Sequence, residues 1–404
     1  MVIYVRSYTK VKISKKATLR EESLHPWIFD NEIEEVIGTY KNGDLVDVIN
    51  YKDKYIGTGY INDNSKIRVR IISRNANDTF DDDFFLRRVK YAIKYRVDTL
   101  DNLDSCRLIF GEADYFSGLT IDKYNNILVS EVNSLAMDIN KERIYKDIKD
   151  VLSEYGYKID AIYERCDSEL RDKEGLSKYN GFVKMEGLTD DIKSTIIEEN
   201  GIKYYIDFEN GQKTGFFLDQ RFNRKAIWNL ARDRNVLDVC TCTGSFGLNA
   251  KKAGAKKVVS VDISSSSLEV AKYNAELNNY SDIEYVCSDA FVYLDSINKG
   301  DFDLIILDPP AFTKSRDSIN NAKKGYLELN YKAMKKLNRG DYLVTCSCSH
   351  FMSEAMFIDM LKEAGKMAGV DIRIIEQRRQ AMDHPILINV PETYYLKFFV
   401  LQIV

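Results

Sequence analysis

From residue 236 onward the chain alternates short apolar tracts with helical segments: NVLDVC, KVVSVD, IEYVCSD, FDLIILD, DYLVTCS, DIRIIE and a closing YYLKFFVLQIV. Tracts of this length that are apolar on both faces, separated by helices, imply a mostly parallel sheet covered on both sides. In such a sheet ligands bind beyond the carboxyl ends of the strands. Seven strands closing on two consecutive β tracts fit a nucleotide-type α/β fold, and the residues at the strand ends become the place to look for chemistry.

The remainder divides into two smaller regions. Residues 1–74 carry short alternating apolar tracts (VKIS, HPWIF, GDLVDVI, KYIGTGYI, KIRVRII) broken by Gly43-Asp44, Gly57 and Gly59, which predicts a small β-rich module. Residues 75–190 open with acidic residues at 81–83 ahead of apolar positions at helical spacing, so a helix begins there with carboxylates in its first turn. Strand-like LTIDKY, NILVSEV, AIYERC and GFVKMEG flank a second helical stretch near 137–155, giving a compact α+β module. Residues 191–404 form the third region, entered through IKYYIDF and GQKTGFFLDQR.

Composition narrows the function classes. With 404 residues, 45% of them hydrophobic, the chain can bury several cores. Its seven cysteines are an odd number spread along the chain without a leading signal-like segment, so they read as thiols of a cytoplasmic protein. No apolar run approaches the ~18 residues needed to cross a bilayer, and the closing tract is strand-length and carries a lysine. The net charge of −4 argues against coating nucleic acid by bulk charge. The first twenty residues nevertheless hold six basic side chains (Arg6, Lys10, Lys12, Lys15, Lys16, Arg20) and no acidic one, either a local positive face or a strand edge guarded by lysines.

Polar residues gather at the strand ends. The first strand holds Asp238 and runs into TCTGSFG, where Gly244 and Gly247 allow close approach of a ligand to the start of the next helix. This is not the G-x-G-x-x-G dinucleotide fingerprint, so a nicotinamide oxidoreductase is disfavoured. Asp262 stands at the tip of the second strand, at the distance along the chain where an acidic residue grips the hydroxyls of a ribose. The following SSSS supplies N-cap candidates. Asp289 closes the third strand, placed to meet an adenine amino group, although a lone aspartate there would be a cap or turn residue. Three carboxylates at successive strand ends describe a pocket for adenosine with a short amino-acid tail. The fourth strand ends in Asp308-Pro-Pro, whose prolines stiffen the backbone at the rim of the site.

With HPWIF (25–29), GEADYFSGLTIDKY (111–124), GQKTGFFLDQR (211–221), VLDVCTCTGSFG (236–247), DPPAF (308–312), SCS (347–349) and DHP (383–385), the chain resembles the class I S-adenosylmethionine-dependent methyltransferases. More narrowly it resembles the RlmI-type 23S ribosomal RNA cytosine-5 methyltransferases. DPP and the glycine turn are common to many methyltransferases; GQKTGFFLDQR together with SCS is far more specific. The resemblance implies a PUA domain over 1–74, a central α+β domain over 75–190 and a Rossmann-like seven-stranded methyltransferase domain over 191–404. It implies that S-adenosylmethionine is held by Asp262 at the ribose, Asp238 and Gly244 at the methionine moiety and Asp289 at adenine, with Gln212, Lys213 and Thr214 closing over it. It further implies that Asp308 contacts the target base and that Cys348 is the nucleophile. The chain departs from the family's common pattern in Cys240-Thr-Cys242-Thr243, where an aromatic or Ser/Tyr-rich turn is usual, and in the extra thiol of Cys346.

A thiol is needed because carbon 5 of cytosine is too weak a nucleophile to take a methyl group unaided; a thiolate adding to carbon 6 makes it one. On a strand Cys346 and Cys348 would point to the same face, with Cys348 nearer the open end where substrate arrives. Two C-x-C pairs also invite a metal, but the usual ligand spacing is C-x₂₋₄-C and no metal is expected. The nearest rival is an N-methyltransferase acting on an exocyclic base amine through Asp-Pro-Pro-Phe-like geometry, which would need no cysteine; a non-catalytic RNA-binding protein is a further one. The implied partner is 23S ribosomal RNA, reached as single-stranded or splayed bases with the basic N-terminal module on phosphates. The oligomeric state stays open, a homodimer included.

Overall fold

The computed structural model describes residues 7–21, 24–209, 211, 214–312 and 319–404, with 19–21 described by backbone only. By internal contacts it falls into two compact units. The first comprises Met1–Thr195, Ile206–Phe216 and Met382–Thr393; the second comprises Ile196–Tyr205, Phe217–Ala381 and Tyr394–Val404.

In the first unit the alternating tracts of the N-terminal region build a six-stranded sheet, ordered 27–29, 67–73, 55–61, 45–49, 9–13, 33–37. The short helix Lys15–Glu21 was not foreseen in the β pattern; its first turn carries no acidic residue to mark it. Gly59 is required by close approach, because a Cβ there would stand 2.2 Å from the Arg70 carbonyl oxygen. A five-stranded sheet follows, with helices Asp82–Thr99 and Leu135–Glu154 packed in its core. Asp81 caps the first of these helices by accepting from the Phe84 N–H, and Asp82 and Asp83 sit in its positive first turn. The buried Glu174 carboxylate joins the two sheets, accepting from Asn62 (3.0 Å), Ser65 (2.5 Å) and Arg70 (2.7 Å). These charge-assisted bonds tie the β-rich region to the α+β region, beside an apolar core that Tyr60 and Ile72 share with the helices.

DHP (383–385) belongs to this unit. Asp383 accepts from the Arg107 N–H at 2.9 Å, and its own carbonyl accepts from Arg96 at 2.8 Å. Arg96 in turn grips Asp114 with both guanidinium nitrogens, at 2.6 and 2.7 Å. The segment is thus held by buried, fully paired charge.

The second unit contains the seven-stranded sheet. Its strands are β1 (Asn235–Val239), β2 (Lys257–Asp262), β3 (Ile283–Cys287), β4 (Leu304–Leu307), β5 (Tyr342–Ser347), β6 (Ile372–Arg378) and β7 (Lys397–Ile403), in the order β3-β2-β1-β4-β5-β7-β6. β1 to β5 run parallel, and β7 is inserted antiparallel to both β5 and β6. Helices α1 (Ser245–Lys252), α2 (Ser265–Leu277), α3 (Ala290–Ser296), α4 (Ile319–Lys336) and α5 (Glu354–Ala368) fill the crossovers. The chain order reverses between β1 and β4, the switch point where a doubly wound sheet opens a crevice at its carboxyl edge. β4 is buried throughout and β1 in all but its first residue, which is why these tracts read as continuous apolar runs.

Candidate active site

Asp238, Asp262, Asp289, Asp308 and Cys348 all stand at or just past the carboxyl ends of β1 to β5. The thiol of Cys240, in the turn after β1, is pushed far up in pKa by burial first and then by the field of all four aspartates. Burial and the same kind of neighbours push Cys242 up to about 12. Both residues adopt left-handed backbone, φ 61° and 50°, uncommon for a side chain other than glycine and characteristic of tightly determined turns at functional sites. Neither thiol is fit to be a thiolate here.

The turn is organised by carboxylates. Asp238, fully buried in β1, accepts from the Gly247 N–H at 2.9 Å and from the Thr241 hydroxyl, while its other oxygen has no partner among the described residues. Burial raises its pKa to about 6 against the pull of those two hydrogen bonds. Asp262 uses one oxygen for the Cys242 N–H and the other for the Ser264 N–H, both at 2.9 Å. An ionised carboxylate has about four acceptor positions, so this anchoring leaves lone pairs for a diol. Gly244 has φ +81° and heads α1; a Cβ would lie 3.0 Å from that of Ala271. Ser264, from the SSSS run, caps α2.

Asp289 caps α3, accepting from the Phe291 and Val292 N–H groups through Oδ1. The cap and a cofactor contact are compatible, since Oδ2 is not used in the cap. Asp289→Ala is expected to lower stability by about 1 kcal/mol through the lost cap, and Asp289→Ser to restore it. A thermal melt of both variants separates the cap from any effect on cofactor affinity, and equal stability of Asp289→Ala and wild type would remove the capping role.

Asp308, beyond β4, is half-buried, and Gln220 Nε2 donates to both its oxygens at 3.1 Å. Gln220 is itself oriented by Asn223, whose amide donates to its carbonyl at 2.6 Å. Burial, then the carboxylates of Asp219 and Asp238, raise Asp308 to about 7, with Arg224 and Gln220 opposing.

Cys346 and Cys348 depart from the strand reading. β5 ends at Ser347, because pairing with β7 stops at Ser347 opposite Lys397, so Cys348 opens the turn instead of extending the strand. Cys346 is fully buried, and its thiol is raised far above the ordinary range by burial and by Asp308. Cys348 is half-buried. Next to it lies Lys397, 2% exposed, donating to the carbonyls of Ser349 (2.6 Å) and Tyr395 (2.7 Å).

Of the remaining residues, Thr214 belongs to the first unit, where its buried hydroxyl donates to Asp122. Gln212 and Lys213 lie outside the described residues. Within GQKTGFFLDQR the sequence marks no role for Gln220, and Lys397 stands out only as a charge in an apolar tract. That second observation was a usable signal, since lysine is almost never buried unless paired. Among the described residues no group of three or more His, Cys, Asp or Glu side chains is arranged to hold a metal.

Comparison with known proteins matches residues 11–74 to a PUA-like domain and residues 178–385 to an S-adenosylmethionine-dependent methyltransferase. The chain is 39% identical over 398 residues to ribosomal RNA large subunit methyltransferase I of Aeromonas salmonicida, covering 97% of this chain and 98% of that one. It is 38% identical over 403 residues to the protein of the same name from Pseudoalteromonas atlantica, covering 97% and 100%. A Streptococcus mutans structure, provisionally named a SAM-dependent methyltransferase, superposes with a TM-score of 0.80 at 20% identity over 97% of this chain and 99% of that one, a likeness of fold.

Proposed function

Because the chain belongs to the S-adenosylmethionine-dependent methyltransferase family, among the ribosomal RNA large subunit methyltransferase I proteins, we propose that it forms 5-methylcytosine in 23S ribosomal RNA through a covalent Cys348 adduct. The observation that carries the reading is the half-buried Cys348 in the turn after β5, beside a buried lysine and on the same sheet edge as the strand-end carboxylates. The donor set fits the cofactor: the buried Asp238 oxygen that has no partner among the described residues suits an α-ammonium, and Asp262, fixed by two backbone N–H groups, suits a ribose diol. In this reading Asp238 and Gly244 hold the methionine end, Asp262 the ribose and Asp289 the adenine. When bound, S-adenosylmethionine supplies an electrophilic methyl group on a sulfonium sulfur.

The chain's own residues prepare the base. The Cys348 thiolate adds to carbon 6; the sulfur lone pair forms the S–C bond while the C5=C6 pair moves to carbon 5, which becomes the nucleophile for the methyl group. Asp308, held by Gln220 and titrating near neutrality, presents an acceptor or an O–H donor to the polar edge of the ring. A base then takes the carbon-5 proton, and the S–C pair returns to sulfur as the cysteine leaves.

The modules divide the work as a PUA-like RNA-binding domain over 1–74, a central α+β domain over 75–190 and the methyltransferase domain over 191–404. The seven thiols, none paired in a disulfide, support a cytoplasmic site of action. No described helix is long and apolar enough to cross a membrane. Mass spectrometry of 23S ribosomal RNA from a deletion strain is the decisive experiment: loss of one 5-methylcytosine supports the reading, and an unchanged 5-methylcytosine content with loss of an N-methylated base overturns it. Asp262→Ala is expected to weaken S-adenosylmethionine binding about 10- to 100-fold by calorimetry, the size of hydrogen bonds to a charged group. Unchanged affinity would remove Asp262 from the cofactor site.

A further inference from the structure

Lys397 has no role in the steps above, yet it is among the least expected side chains in the sheet. It starts β7 opposite Ser347, and only 2% of it is exposed. Burying an ammonium is costly unless charge or hydrogen bonds compensate. Two of its three N–H groups donate to the Ser349 and Tyr395 carbonyls, so the amine reaches under the turn that carries Cys348. Burial disfavours its charged form and Cys348, then Glu354, favour it, leaving the amine lowered to about 8.

We propose that Lys397 is a positioning residue for the nucleophile: its ammonium holds Cys348 as a thiolate, and its bond to the Ser349 carbonyl fixes the turn so that the sulfur faces incoming base. The inference rests on Cys348 being the nucleophile. The thiol proton resides on the Lys397 nitrogen, so the resting pair is ammonium and thiolate. In the addition step the sulfur lone pair becomes the S–C6 bond and no proton leaves sulfur. On elimination that electron pair returns to sulfur beside the same cation.

Around this pair stand Tyr326 from α4, the buried Cys346 of β5 with Asp308 facing it, and Glu354 at the start of α5, where it accepts from the Tyr394 hydroxyl. His350 packs its ring on Tyr395 at 5.3 Å. Of these groups, the carboxylates and the other thiol disfavour a second negative charge. Lys397 supplies the opposing field, which is why a buried cation is placed at this strand position and not a further apolar residue.

The test reads the thiolate directly, without cofactor or RNA. Alkylation of Cys348 by iodoacetamide is followed across pH 5 to 10 by peptide mass spectrometry, with the exposed Cys287 as internal reference. Wild-type Cys348 is expected to titrate at least one pH unit below the ordinary thiol value of about 8.5, and Lys397→Met to return the midpoint to about 8.5 or above. Lys397→Arg is expected to keep the low midpoint, because it keeps the cation. A wild-type midpoint at or above about 8.5 overturns the proposal whether or not the variants fold, and so does a Lys397→Met profile that is slower at every pH with an unmoved midpoint, the mark of a merely structural strut. Trapping of wild-type protein on 5-fluorocytosine RNA tests the underlying reading separately. A low midpoint without trapping leaves the ion pair standing and removes Cys348 as nucleophile.

Discussion

Cys348→Ala is expected to abolish methylation of ribosomal RNA, with a fall of roughly 10⁴-fold or more, while S-adenosylmethionine binding persists. The size follows from the chemistry. Without the sulfur adduct carbon 5 carries too little electron density to accept a methyl group, and no other residue of the site replaces the S–C6 bond. The same variant should form no covalent complex with RNA containing 5-fluorocytosine, where wild type is trapped because fluorine at carbon 5 cannot leave as a cation. Cys346→Ala is the control. That thiol is fully buried and held neutral by burial and by Asp308, so its loss should lower stability by about 1 kcal/mol and leave trapping intact. Retention of full RNA methylation by Cys348→Ala would instead favour direct attack by an exocyclic amine posed against Asp308, the chemistry that needs no cysteine.

The strand ends were readable because the parallel sheet imposes a simple code. A strand buried on both faces is a run of apolar residues, so the first carboxylate to interrupt it marks the edge of the sheet; Asp262 and Asp308 are found this way. Asp289 was equally visible, but its local duty as a helix cap cannot be told from a ligand contact by spacing, since both ask for a carboxylate at the same place. The role of Gln220 and the partners of Lys397 were not legible for a different reason. Gln220 meets Asp308 across 88 positions of chain, and Lys397 meets the turn at Ser349 across 48, distances over which only the register of the folded sheet brings residues together. The left-handed Cys240 and Cys242 were hidden too, because a strained turn built from residues other than glycine has no compositional signature.

Asp308→Asn is expected to yield a protein that is more stable and inactive. The carboxyl of Asp308 ionises near 3.8 in an unfolded chain and at about 7 in the fold, where burial and the Asp219 and Asp238 carboxylates oppose its charge. Between those values the unfolded chain has released a proton that the folded chain still holds, so folding becomes less favourable as pH rises from about 4 to about 7 and then levels off. If the whole shift counted, the loss would be on the order of 4 kcal/mol, an upper bound for a half-buried group that keeps some contact with solvent. Asparagine keeps the shape and can still accept from Gln220, but it carries no charge to desolvate. Its melting temperature should therefore exceed that of wild type at pH 8, and the gap should close as pH is lowered toward 4. Methylation should fall about 10²-fold or more, as when a polar group aimed at a reacting centre is removed. Equal melting temperatures at pH 8 would mean that the carboxylate is accommodated without penalty. A gap that follows pH together with lost activity would mean that the fold tolerates a poorly solvated carboxylate at this point because the chemistry at the sheet edge requires it.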